Sequence, residues 1–308
     1  MTHRATLIPG DGIGPEVAAA TVEVLAAAGV AIDWDPREAG VSALETHGTP
    51  LPQATIDSIR ATRLALKGPL TTPVGSGFRS VNVAIRQEFD LYANVRPTLA
   101  WPGLPTFWPG LKLTVIRDNT EGLYTGLEHY VGRDRYAAEA ILVITRPGME
   151  RICRYAFEHA RRAGARRVVA VHKANILKLT SGMFLEIARD TARDYPEIAF
   201  SDRIIDNMCL QLVRDPNQFE VIVTTNMFGD ILSDLVAGLA GGLGLAASAN
   251  IGAEAAVFEA VHGSAPDIAG QGKANPTALL LSACQLLDHI GERAAAERIR
   301  QSLADIFQ

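Results

Sequence analysis

The chain has 308 residues, 48% hydrophobic and 20% charged, with a formal net charge of −5. That length suits one large α/β domain or two lobes, and the acidic balance excludes nucleic acid as a default partner, so an anionic substrate would need a local cluster of arginines. Three cysteines (Cys153, Cys209, Cys284) without a pairing motif or zinc spacing argue against a disulfide framework and for a reducing, cytoplasmic setting.

The N-terminal MTHRATLIPGDG has no apolar h-region, and no apolar run is long enough to cross a bilayer, so neither a signal peptide nor a membrane partner is expected. Thr6 to Pro9 reads as a first strand and Gly10-Asp-Gly-Ile-Gly14 as a tight turn. Pro15 suits the first turn of a helix running to about Ala28. These glycines miss the Rossmann fingerprint, which would need glycine at position 15, and so assign no dinucleotide. A second apolar segment closes at Ala65-Leu-Lys-Gly-Pro69.

Thr71 to Pro97 carries the densest chemistry. A glycine-rich loop, Gly75-Ser-Gly77, leads into a helix near Ser80 to Phe89, with Ser80 as N-cap and with Asn82 and Arg86 on one face. Arg96 is extended because Pro97 follows it. Arg117 ends the strand Leu113 to Ile116. Singly, each arginine reads as a surface ion pair. Three of them at element ends of an acidic chain suit a substrate with several carboxylates, which guanidinium groups grip in bidentate fashion.

Gly122 to Thr145, with Tyr124 early and an alternating stretch from Ala140, reads as a protruding arm or hairpin used in assembly. Glu150 to Ala163 is an amphipathic helix with a solvated basic tail. Val168 to Val171 is a buried strand with His172-Lys173 at its end. Lys173 either snorkels to water or, in a closed acidic site, loses its proton and acts as a base. Asp206 opens the helix DNMCLQLVRD.

Val221 to Thr225 is a β-branched strand, Asn226 to Gly229 is turn material, and Asp230 opens a helix over Ile231 to Leu239. Asp230 and Asp234 share a helix face at a strand's C-terminal end, where open α/β sheets place their ligands. One is readable as an N-cap and the other as a solvated first-turn acid. Together they suit a hard divalent cation, Mg²⁺ or Mn²⁺. Glu259 to Gly270 is a loop rich in small residues that offers backbone N–H groups and His262 to phosphates. Asn275-Pro276 starts a helix through Leu287. With no repeat or linker, the lobes must be interleaved in sequence.

The segments KGPLTTPVGSGFRSVNVAIRQEFDLYANVRP, RDNTEGLY, VHKANILKLTSGMF, MFGDILSD and FEAVHGSAPDIAG together resemble the β-decarboxylating dehydrogenases of isocitrate, isopropylmalate and homoisocitrate. The likeness is greatest to NAD-dependent isocitrate dehydrogenases, because Ser80 and Asn82 match positions that meet isocitrate's distal carboxylate. It implies a two-lobed α/β fold that is not a Rossmann fold. Residues 1–91 and 242–308 would form the large cofactor lobe, and 92–241 the small lobe with the dimer interface and an arm at about 122–145. It further implies that Arg86, Arg96 and Arg117 hold the substrate's carboxylates beside Ser80 and Asn82. Asp206, Asp230 and Asp234 would bind Mg²⁺ or Mn²⁺, Lys173 would be the base at the C2 hydroxyl, and Tyr124 would protonate the carbon left after decarboxylation. Lys173 and Asp206 would come from the partner of a homodimer. NAD would lie on His262, Gly263, Ser264, Ala265, Asp267, Ile268 and Asn275, with Asp267 pairing a ribose hydroxyl and repelling a 2′-phosphate.

The implied activity is oxidative decarboxylation of isocitrate to 2-oxoglutarate. The same chemistry on homoisocitrate, isopropylmalate or a phosphonate analogue is the alternative. A non-catalytic regulatory subunit is a third reading, opposed by the presence of every catalytic residue. Two features depart from the family pattern: Asp118 stands where Glu is usual, and Thr98 to Gly110 carries Trp101, Trp108 and three prolines.

Overall fold

A computed structural model describes residues 2–71 and 80–308. The expected glycine-rich loop at Gly75-Ser-Gly77 lies outside the described residues. In chain order the elements are β1 His3–Ile8, α1 Gly14–Ala27, β2 Ile32–Pro36, α2 Val41–His47, α3 Gln53–Thr62, β3 Leu64–Lys67 and α4 Val81–Glu88. Next come β4 Ala93–Leu99, β5 Lys112–Asp118, β6 Glu128–Val131, β7 Ala137–Ala140, α5 Arg146–Ala163, β8 Arg167–His172 and α6 Thr180–Ala192. The chain closes with β9 Ala199–Ile204, α7 Ile205–Arg214, β10 Val221–Thr224, α8 Asn226–Ala240, β11 Ala247–Ile251, β12 Ala256–Ala260, α9 Thr277–His289 and α10 Arg293–Phe307.

The chain forms two compact units, one of Met1–Leu91, Ala100–Pro109 and Ala240–Gln308, the other of Tyr92–Leu99 and Gly110–Leu239. In the first unit the strands lie in the order β2-β1-β3-β12-β11, parallel except for the last pair. Ile8, Ile59, Ala65, Val81, Ile85, Leu91 and Val257 form one buried cluster there. The turn after β1 is fixed by Asp11. Its carboxylate accepts from the backbone N–H groups of Val41 and Ser42, both at 3.0 Å, and of Thr71 at 2.8 Å. Gly40 must be glycine, because φ is +93° and a Cβ would stand 2.0 Å from Asp11 Oδ2. The segment Ala100–Pro109 joins this unit through Trp101, whose ring meets Phe307 edge-on at 5.6 Å.

In the second unit the order is β4-β5-β10-β8-β9, with β4 antiparallel and the rest parallel. Helix α5 packs on β5, β8, β10 and α6. It starts at Arg146, four residues before the expected Glu150, because the Thr145 side chain caps it by accepting from Gly148 N–H at 3.1 Å. Between Gly122 and Thr145 the chain forms an antiparallel hairpin of β6 and β7, exposed along its whole length. Among the described residues no helix is long and apolar enough to cross a membrane.

Asp118 ends β5 almost fully buried, with Oδ1 unpartnered and Oδ2 accepting from Glu121 N–H at 3.2 Å. Burial first, then the Glu121 charge, pushes its carboxyl up to about 7 from 3.8. The folded chain therefore holds a proton that the unfolded chain has released between those values. The stabilisation is full below pH 4 and is lost as pH rises to 7. Asp118→Asn keeps the acceptor and removes the titration. Its unfolding free energy relative to wild type should rise by about 2–4 kcal/mol between pH 4 and pH 8 in urea titrations. A pH-independent difference would show that Asp118 ionises freely in the fold.

Candidate active site

The site grows from strand register in the second unit. Thr224 of β10 lies level with Arg117 of β5 on one side and with Val171 of β8 on the other. In the parallel pair β8/β9, His172 lies level with Ile204. The C-terminal ends of these strands thus set Arg117, the start of α8, Lys173 and Asp206 along one edge. Because β4 runs the other way, its early residues Asn94 and Arg96 pair with Arg117 and Val115.

Helix α8 begins at Asn226, not at Asp230 as expected, and Gly229 N–H already donates to Thr225 O at 2.9 Å. The turn reading of Asn226 to Gly229 fails because tertiary contacts claim those residues. Asn226 Oδ1 accepts from Arg117 Nε at 2.9 Å and Nη2 at 2.7 Å, while its Nδ2 donates to Glu121 O at 3.0 Å. Gly229 lies flat against the same arginine, and a Cβ there would stand 2.5 Å from Arg117 Cγ. Asp230 is therefore in the second turn of the helix and is not its N-cap.

Asp230 is the meeting point. Arg117 Nη1 donates to Oδ1, Arg96 Nη1 lies 3.3 Å from the same oxygen, and Tyr124 donates its hydroxyl to Oδ2 at 2.6 Å. The Arg117 guanidinium also sits 5.0 Å from the Tyr124 ring centre. Arg96 Nη1 donates further to Ser233 Oγ at 2.6 Å and to Asp234 Oδ1 at 3.3 Å. Arg117 and Arg96 are buried, at 1% and 7% exposure, so neither is the surface ion pair that each suggests singly. Burial raises the Asp234 carboxyl, Arg96 opposes that, and the neighbouring Asp230 charge adds to it.

Lys173 stands at the other end of the edge, its Nζ 2.5 Å from Asp206 Oδ1. That bond holds the exposed Asp206 carboxyl below its ordinary range. The turn is set by His172, whose Nδ1 accepts from Ala174 N–H at 3.0 Å, leaving Nε2–H to donate to Asp202 at 3.1 Å. Asp206 does not join Asp230 and Asp234: among the described residues no three metal-ligating side chains gather within the chain.

The remaining expected site residues lie in the first unit. Ser80 occupies the N-cap position of α4, but its side chain makes no capping bond. Asn82 Oδ1 and Arg86 Nε, one turn apart, are buried and without a partner among the described residues, while Arg86 Nη2 donates to Glu259 Oε1 at 3.0 Å. After β12, Ser264 Oγ lies 2.5 Å from Thr71 Oγ1. Gly263 is exposed, and Ala265 adopts φ 36° ahead of a short turn that holds Asp267 and Ile268. Asn275 Oδ1 accepts from Thr277 N–H at 3.0 Å and Oγ1 at 2.6 Å, fixing the start of α9. His262 Nδ1 donates to Gly263 O at 2.9 Å, which leaves Nε2 buried, unpartnered and able only to accept. Sequence spacing overlooked Asn226, Ser233 and Glu259. Ser233 was within reach of that reasoning, since it shares the helix face of Asp230 and Asp234.

The family profile described as isocitrate/isopropylmalate dehydrogenase matches residues 4–308. The chain belongs to that family. A crystal structure of isocitrate dehydrogenase from Methylococcus capsulatus superposes with a TM-score of 0.96 at 58% identity, covering 99% of this chain and 91% of that one. A probable NAD isocitrate dehydrogenase subunit alpha of Drosophila melanogaster is 46% identical over 98% of this chain and 79% of its own length. An NADP isocitrate dehydrogenase of Thermus thermophilus is 50% identical over 97% of this chain and 60% of its own. Enzymes of the family are oxidative decarboxylases that use a divalent metal ion and a nicotinamide cofactor.

The residues fit both groups. Asp230 and Asp234 present carboxylate oxygens one helical turn apart, the donor chemistry of a hard cation. The orphaned His262 Nε2 is an acceptor suited to a hydroxyl such as that of a ribose.

Gly229→Ala tests the packing of the arginine. Helix propensity favours alanine by about 1 kcal/mol, but the clash with Arg117 should outweigh it and leave a net loss of about 1–2 kcal/mol in urea unfolding. An unchanged or higher midpoint would show that Arg117 has room to retreat.

Proposed function

We propose that the enzyme catalyses NAD-dependent oxidative decarboxylation of isocitrate to 2-oxoglutarate, with Mg²⁺ or Mn²⁺. The convergence of Arg96, Arg117 and Tyr124 on Asp230, with Asp234 beside it, carries this reading. Two guanidinium groups against two carboxylates leave that cluster electrically balanced. A bound divalent cation would turn it positive and fit it to a substrate bearing several carboxylates. Asp230 and Asp234 would hold the cation, with Asp206 supplied by a second copy. Ser80, Asn82 and Arg86 would add a carboxylate subsite from α4. When bound, the cation supplies Lewis-acid polarisation and the nicotinamide ring accepts a hydride.

The chain's own side chains handle the protons. Lys173 takes the proton of the C2 hydroxyl. Its present partner is Asp206 at 2.5 Å, and an Asp206 carboxylate committed to the cation would release the Lys173 amine to reach the hydroxyl. Tyr124 delivers a proton to the carbon vacated by CO₂. Its hydroxyl is already oriented as a donor by Asp230, beneath the Arg117 charge.

A homodimer is supported by the separation of Asp206 from the other two acids and by apolar side chains left in water. Leu179 and Ile176 are 86% and 66% exposed, Leu210 and Val213 of α7 are about half exposed, and Tyr130 and Tyr136 stand out on the hairpin. Asp267 supports NAD over NADP. It is exposed, its carboxylate enters no ion pair among the described residues, and it would bond a ribose hydroxyl while repelling a 2′-phosphate. Unpaired cysteines suit a cytoplasmic location.

Steady-state rates on isocitrate, homoisocitrate and isopropylmalate, each with NAD and NADP, decide substrate and cofactor. Isocitrate with NAD should give the highest kcat/KM, and a faster rate on either other acid would replace the substrate assignment. Lys173→Met should lower kcat by about 10²–10⁴-fold. Near-normal turnover would remove Lys173 as the base. Asp267→Lys should move the NAD/NADP ratio of kcat/KM toward NADP by roughly tenfold, the equivalent of about 1.4 kcal/mol. A constant ratio would place ribose discrimination elsewhere.

A further inference from the structure

A second group of charges lies buried in the first unit. Lys67 ends β3, Arg86 lies on α4, Asn250 on β11 and Glu259 near the end of β12. Glu259 is the hub. Its Oε2 lies 2.7 Å from Lys67 Nζ, and its Oε1 accepts from Asn250 Nδ2 at 2.8 Å and Arg86 Nη2 at 3.0 Å. Its main-chain carbonyl is fixed by Ser282 Oγ of α9 at 2.8 Å. Burial alone would push the Glu259 carboxyl up, but the Lys67 and Arg86 charges outweigh it and hold the group well below the usual carboxylate range.

Two features of this group point beyond folding. First, Oε2 takes Lys67, while Oε1 takes Asn250 and Arg86 together, so the guanidinium is tied directly to the hub. A guanidinium has five N–H donors, and Glu259 engages only Nη2, while Nε is buried without a partner among the described residues. The guanidinium is thus held at one corner with donors to spare. Second, the two cations face a single carboxylate, and no other acid pairs with either among the described residues. An excess of buried positive charge is costly unless an anion answers it.

We infer that Glu259 is a positioning residue: it anchors the Arg86 guanidinium so that its free donors meet a carboxylate of the substrate, which also neutralises the excess charge. The inference rests on the reading of Arg86 as a substrate-binding residue. Glu259 adjoins the loop after β12 without belonging to it, so its effect should fall on the acid and spare the nicotinamide cofactor.

The test is kinetic, on the full-length enzyme with saturating Mg²⁺. Glu259→Gln should raise the KM for isocitrate roughly 10–100-fold, with kcat and the KM for NAD changing less than about threefold, as loss of uniform binding requires. Because the single variant leaves Lys67 buried without a counter-ion, the double variant Lys67→Met/Glu259→Gln is made beside it. The double variant should recover thermal stability while its KM for isocitrate stays raised, since a neutral amide oxygen shared with Asn250 holds Arg86 more weakly than the carboxylate does. Recovery of both stability and KM would show a purely structural role and overturn the inference. So would an unchanged KM in Glu259→Gln when Arg86→Ala raises it. An unchanged KM in Arg86→Ala would strike the substrate reading of Arg86, and the inference with it.

Discussion

One carboxylate, Asp230, receives two guanidinium groups and a phenol, and the second unit is built to deliver them. Arg117 arrives from the end of β5, Arg96 from the antiparallel neighbour β4, and Tyr124 from the chain just after β5. Both arginines are held by something other than Asp230. Asn226 grips Arg117, Ser233 grips Arg96, and Gly229 gives Arg117 the space to lie against α8. Buried guanidinium groups need such partners, because an unpaired buried charge costs several kcal/mol. Removing any one support would spread the donors and weaken a grip that depends on all three reaching one carboxylate.

Much of this was legible in the sequence, and the rest was hidden for definite reasons. The alternation of apolar strands with helices gave the α/β class, and the motifs gave the family. Asp230 and Asp234 could be paired by helical spacing alone. The start of α8 could not, because Asn226 looks like a turn residue until Arg117 claims its side chain. The start of helix α5 is hidden for a similar cause, since its cap, Thr145, reads in sequence as the end of the preceding hairpin. Glu259 escaped notice because its partners lie far away in sequence, at Lys67, Arg86 and Asn250, and no periodicity links them. Contacts between distant strands are what one sequence shows least.

The two units solve the same electrostatic problem differently. In the second, acids and bases balance around Asp230, in reach of solvent through the exposed Asp234. In the first, Glu259 is shared between the buried Lys67 and the partly buried Arg86. Asp11 shows the neutral version of the same device, one buried carboxylate satisfied wholly by backbone N–H groups. It ties α2 and Thr71 to the first turn, and Thr71 in turn touches Ser264.

The level placing of His172 and Ile204 on adjoining strands makes Lys173 and Asp206 an inseparable couple. Whatever chain donates one donates the other. On the proposed homodimer with shared sites, a copy lacking the lysine and a copy lacking Asp230 would place both lesions in one pocket and leave the other pocket intact. Two inactive proteins, mixed and allowed to exchange partners, would on that proposal recover activity that neither has alone.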